Sequence, residues 1–146
     1  MSIETKLAEL GITLPDAPAP AANYVPYVIS GNLLFVSGQI STAKGKLGAD
    51  LAVEAGAEAA RTCGLALLAQ ARAALGSLDR VKQVVKLGGF VNSTPEFTDQ
   101  PEVVNGCSNL MVEVFGDKGR HARAAVSAPA LPRGVAVEIE AIFEIA

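Results

Sequence analysis

The spacing of apolar positions along this chain switches repeatedly between a period of two and a period near 3.6. Residues 3 to 11 suit one short helix closed by Gly11. Residues 15 to 23 cannot continue it, because each Pro removes a backbone donor and restricts the residue before it. They read as an extended arm lying on the body. Tyr24 to Ile29 and Leu33 to Ser37 then alternate as two strands, with Ser30-Gly31-Asn32 as the turn of a hairpin. A loop with Lys44-Gly45-Lys46 follows, and beyond Asp50 the period lengthens. Val53, Ala57, Ala60, Gly64, Leu67 or Leu68, Ala71 and Leu75 fall at alternating steps of four and three, the stripe of a long helix. Its small residues allow close packing on a sheet, and Gly76 can end it in a left-handed conformation. Val81 to Val91 is rich in β-branched residues and reads as a central strand, with Gly88-Gly89 as a candidate bulge. A second helix is expected from about Pro101 to Phe115, a connector at Gly116 to Gly119, and final strands near 122–128 and 135–144. The order strand, strand, helix, strand, helix, strand, strand gives an α/β fold: one mixed sheet with two helices packed on one face.

At 146 residues the chain has the length of one domain, 1–146, which includes an N-terminal extended arm over about 1–23. Hydrophobic residues make up 50% and aromatics only 5%, so small aliphatic side chains must fill the core. Charged residues make up only 18%, and contacts between subunits or Ala-rich packed helices would each account for the surplus of apolar residues. The net charge of -3 and the scatter of Lys and Arg argue against backbone-driven nucleic-acid binding. No apolar run approaches a membrane span, and the N-terminus lacks the pattern of an export signal. Cys63 and Cys107 read as buried free thiols, which suits the cytoplasm.

Candidate chemistry concentrates near the end. The run His121 to Ser127, the bend Leu131-Pro132-Arg133-Gly134 and the run Val135 to Glu140 place a guanidinium and two carboxylates on strand-like segments. If these segments fold back on each other about Ala130 and Leu131, Arg123 lies opposite Glu138. One group would then hold an anion and the other would handle a proton. The same spacing also describes a hairpin with a solvent-exposed ion pair, and spacing alone favours that plainer reading. Dinucleotide and P-loop motifs are absent. His121 is the lone histidine, with no repeated metal-ligand spacing and no nucleophile elbow, so it reads as a surface or interface residue ahead of a strand.

Taken with these candidates, the sequence resembles the RidA (YjgF) family of reactive-intermediate deaminases. Ala122-Arg123-Ala124-Ala125-Val126, followed by Leu131-Pro132-Arg133-Gly134-Val135-Ala136-Val137-Glu138-Ile139-Glu140-Ala141, is similar to its C-terminal signature. Asn23-Tyr24, Gly31-Asn32 and Ser37-Gly38-Gln39-Ile40 are similar to its N-terminal one. The resemblance implies a chorismate-mutase-like fold, a homotrimer with pockets between subunits, and hydrolysis of 2-imino or 2-enamino acids to 2-keto acids and ammonia. That reaction requires no cofactor and no metal. By the same resemblance Arg123 binds the substrate carboxylate, Glu138 positions or activates water, and Tyr24, Gly38 and Ala125 line the pocket. The archetypal deaminase carries Ser-Cys where this chain carries Ala124-Ala125. That difference raises the alternative of a non-catalytic protein binding small carboxylates. A ribonuclease or translation-inhibitor role is a further alternative, disfavoured by the acidic charge.

Overall fold

The computed structural model describes residues 2–19 and 23–146. The first helix, α1, spans Ile3–Glu9, and the Ser2 side chain caps it by accepting from the Thr5 amide. Pro20 to Ala22, the middle of the expected arm, lie outside the described residues. The part before them is fastened to the body: the Gln70 amide donates to the Pro18 carbonyl at 2.6 Å. The strands β1 (Tyr27–Ser30) and β2 (Leu33–Ile40) form the expected antiparallel hairpin. β1 starts three residues later than the alternation suggests, which leaves Tyr24 in the bend before it. β2 runs on to Ile40 through an irregularity between Val36 and Gln39, where its register with the last strand shifts.

Helix α2 covers Val53–Leu75 and ends at Gly76, whose φ of 79° is the left-handed conformation a side chain would oppose. Asp50 stands before the helix without capping it; its carboxylate accepts from the Lys46 amide at 2.9 Å and closes the loop instead. After a short 3-10 turn at Leu78–Arg80 come β3 (Val81–Asn92), α3 (Gln100–Phe115) and β4 (Ala122–Ala128), and β5 (Val137–Ile145) ends the chain. The sheet order is β1-β2-β5-β3-β4. Among the described strands only β3 and β4 run parallel, joined by the crossover through α3. β5 enters the centre of the sheet antiparallel to both β2 and β3.

Two expectations change with this topology. The segments 122–128 and 137–145 are not a hairpin, because β3 lies between them. Gly88 and Gly89 are paired regularly, with Glu140 and Ile139, and the irregularities of β3 sit earlier, between Val81 and Gln83 and between Val84 and Lys86. These glycines have a packing function instead. A Cβ on Gly89 would press on Val104 of α3, and one on Gly88 would press on Glu140.

Both long helices cover one face of the sheet and pack on each other. Their buried side chains, among them Leu67, Leu68, Cys63, Leu110, Met111 and Cys107, meet Leu34, Val84, Leu87, Ile139 and Phe143 from the strands. Burial on α2 is wider than one stripe, reaching Ala59, Ala66 and Gln70, because the helix touches both the sheet and α3. Among the described residues, no helix covers the other face. Val28, Phe35, Ile40 and Val126 are exposed there, an apolar sheet surface with Glu138 and Glu140 set into it.

Candidate functional site

Alternation along β5 decides where its carboxylates go. Val137, Ile139 and Ala141 are buried toward the helices, so Glu138 and Glu140 stand on the open face. Register then gives Glu138 its neighbours: Ile40 on one side and Phe90 on the other, with Val126 beyond Phe90. A carboxylate flanked by apolar side chains is poorly hydrated when charged. Partial burial, and then the negative charge of Glu140, push the Glu138 pKa above its ordinary value. Gly38, at the irregularity of β2, makes this position possible, because a Cβ there would overlap the Glu138 carboxylate. Tyr24, Gly38 and Glu138 line one cavity of about 620 Å³, together with Arg133 from the Pro132–Gly134 turn.

Arg123 lies elsewhere. It pairs with Leu87, a core residue, so its side chain leaves β4 on the helix side of the sheet. Its Nη1 donates to the Ser108 Oγ at 3.0 Å and its Nη2 to the Pro101 carbonyl at 3.2 Å, both on α3. A single chain therefore does not bring Arg123 and Glu138 together, because they stand on opposite faces and on strands separated by β3. Ala125, two residues on, shares the face of Arg123 and packs against the core instead of lining the Glu138 cavity.

A second, shallower concavity of about 280 Å³ surrounds Arg123, with Asn105, Ser108, Asn109 and His121 among its walls. His121 is not a plain surface residue. Its Nδ1 lies 2.6 Å from the Gly119 carbonyl and its Nε2 lies 2.8 Å from the Ser108 Oγ. Burial, with a further contribution from the Arg123 charge, lowers its pKa, so the imidazole is neutral near pH 7. The His-Ala-Arg spacing already places His121 and Arg123 on one face of a strand. Ser108 carries no such signal, since only the packing of α3 beside β4 brings it there. Among the described residues, no group of three or more His, Cys, Asp or Glu side chains could hold a metal ion. No helix among them is long and apolar enough to cross a membrane.

Residues 4–143 match the family model described as "YjgF/chorismate_mutase-like, putative endoribonuclease". The chain belongs to the YjgF/RidA family. Its α/β architecture is the chorismate-mutase-like fold of that family. Protein TCP17 of Trypanosoma cruzi is 53% identical over 98% of this chain and 94% of its own length. A crystal structure of a protein of unknown function from Agrobacterium tumefaciens is 50% identical and superposes with a TM-score of 0.92, covering 99% of this chain and 92% of that one. The structure of Escherichia coli TdcF with bound serine is 26% identical, with a TM-score of 0.66 over 89% of this chain and 94% of that one.

Proposed function

We propose that this RidA-family protein hydrolyses 2-imino or 2-enamino acids to 2-keto acids and ammonia, in clefts formed between the subunits of a homotrimer. The observation that carries this reading is the Glu138 carboxylate, seated over Gly38 in a cavity with apolar walls and raised in pKa by its surroundings. Such a group is suited to hold a water and take its proton at neutral pH. An imine carbon is already electrophilic. Water adds to it, the proton passes through Glu138 to the nitrogen, and the carbinolamine collapses to the keto acid and ammonia.

The carboxylate of the substrate needs a cation, and Arg123 of the same chain is on the wrong face to supply it. In the proposed trimer a neighbouring copy brings its β4 edge, and with it Arg123, to the mouth of the Glu138 cavity. Two hydrogen bonds to α3 occupy part of the guanidinium's five donors and leave the rest for a bidentate grip on a carboxylate. The serine bound to TdcF is an amino acid of the size and charge this reading requires. Tyr24 would close one wall of the pocket.

A coupled assay tests the proposal. A dehydratase generates 2-aminoacrylate or 2-aminocrotonate, and keto-acid release is followed with and without this protein. Acceleration that disappears in Glu138→Gln and in Arg123→Ala is the expected result. No acceleration across several precursor amino acids removes the deaminase reading. Saturable, Arg123-dependent binding of a 2-keto acid without turnover would establish the non-catalytic alternative in its place.

A further inference from the structure

Imine hydrolysis uses the Ser108 hydroxyl only as a support of Arg123. Ser108 sits in the interior of α3, where a serine hydroxyl commonly bonds back to the carbonyl one turn earlier. Here it reaches across to the start of β4 and meets Arg123 on the strand and His121 just before it. The proton positions follow from the partners. The Gly119 carbonyl can only accept, so the His121 Nδ1 carries the hydrogen of their 2.6 Å bond. A neutral imidazole then has an acceptor at Nε2, and the Ser108 hydroxyl donates to it at 2.8 Å. The Arg123 Nη1 donates to the same oxygen at 3.0 Å. A hydroxyl within reach of a base, with the base held in one tautomer by a third group, is the arrangement of an activated nucleophile. Its surroundings are accessible, at the wall of the 280 Å³ concavity with the Asn105 and Asn109 side chains beside it.

We propose that Ser108 is the nucleophile of a second reactive centre, with His121 as its base and Arg123 as the partner of the oxyanion, and that this centre takes short-chain carboxylic esters. The Ser108 Oγ bonds to the acyl carbon while its proton passes to the His121 Nε2. The carbonyl oxygen becomes an oxyanion beside the Arg123 guanidinium. The ester C–O bond then breaks, and the departing alkoxide leaves as an alcohol with the proton from His121. Water, deprotonated by His121, attacks the acyl-serine; the acyl–Oγ bond breaks, His121 returns the proton to the Ser108 Oγ, and the carboxylic acid is freed, so one ester and one water give one acid and one alcohol. The lowered pKa of His121 keeps it in the basic form through neutral pH. This centre shares Arg123 with the imine site but does not depend on imine hydrolysis.

A fluorophosphonate probe tests this on the full chain, because it forms a stable adduct only with an activated serine. Mass-spectrometric fragmentation of the labelled wild-type protein should place the adduct on Ser108. The labelling rate should fall on the acid side with a midpoint below the ordinary histidine value of about 6.5. Ser108→Ala should abolish the adduct, and His121→Gln should slow labelling by about 100-fold or more. Ser127→Ala, a neighbouring serine outside the centre, should leave labelling unchanged. An adduct on another residue, no adduct at saturating probe, or a rate indifferent to pH and to His121 overturns the proposal. The wild-type map and pH profile decide the matter even if a variant fails to fold.

Discussion

Glu138 shows how a candidate site residue can be held at a cost to the fold. Its pKa is raised in the folded protein, so the fold binds a proton there more tightly than the unfolded chain does. The sign follows directly: the favourable contribution is present at acid pH and is lost as pH rises through the raised pKa. Glu138→Gln removes the charge without changing the shape. It should therefore raise the melting temperature at pH 7 and leave it nearly unchanged near pH 4, while removing imine hydrolysis. A variant equally stable at both pH values relative to wild type would mean the carboxylate is well solvated. Gly38 is the companion test. Gly38→Ala places a methyl where the carboxylate lies, so Glu138 must swing away. The expected outcome is a loss of kcat of about 10²-fold, on the scale of a general base moved out of reach.

At the scale of elements, the seam between α2 and α3 depends on glycines of unequal importance. A Cβ on Gly106 would run into the Ala57 backbone carbonyl, whereas one on Gly64 would meet the ends of Leu110 and Cys107. Backbone cannot step aside as a side chain can. Each Gly→Ala change gains about 1 kcal/mol of helix propensity, and overpacking costs about 1–3 kcal/mol. Gly106→Ala should thus lower the denaturation midpoint clearly, and Gly64→Ala should lower it less or not at all. The opposite order in urea titrations would show that the helices part easily.

The elements themselves were largely readable in the chain. The stripe from Val53 to Leu75, the stop at Gly76 and the β-branched run from Val81 carry their own signals, and each appears within a few residues of its expected place. Strand partnership is different. The spacing of Arg123 and Glu138 is compatible with a hairpin, and nothing local to residues 122–140 reveals that β3, from 30 residues or more earlier, slides between the two strands. That intervening strand moves the arginine and the glutamate apart in register and onto opposite faces. The cradle of Glu138 was half legible: Gly38 and Tyr24 came from the family resemblance, whereas the flanking Ile40 and Phe90 emerge only from register. Ser108 was invisible for the same reason, because a lone helical serine becomes noteworthy only when tertiary packing gives it a partner.

For the whole molecule, the separation of Arg123 from Glu138 makes assembly a requirement of the proposed reaction. An open sheet face with Phe35, Ile40 and Val126 exposed is an unusual surface for an isolated subunit of this size. A closed trimer of 15.0 kDa chains would cover it. Light scattering coupled to size exclusion should therefore report three chains. A sharper check uses two inactive variants. Mixed and reassembled, Arg123→Ala and Glu138→Gln subunits should recover part of the wild-type rate, because some clefts then combine an intact arginine from one copy with an intact glutamate from another. Recovery requires the two residues to come from different chains. A stable monomer, or no recovery from trimers shown to have exchanged subunits, would place the reaction within one chain or remove it.

The two cysteines offer a clock. Cys63 and Cys107 are both free and buried in the layer between sheet and helices. Burial pushes the Cys107 thiol up to about 12 and raises Cys63 as well, so neither presents thiolate to a reagent while the core is closed. Modification by an aromatic disulfide reagent must wait for the layer to open. Without denaturant, its rate counts those openings, and the two sites report from different helices. Equal rates at Cys63 and Cys107 would mean that the core opens as one cooperative unit. A faster Cys107 would show α3 lifting on its own, carrying Ser108 and the supports of Arg123 with it, while α2 stays seated on the sheet.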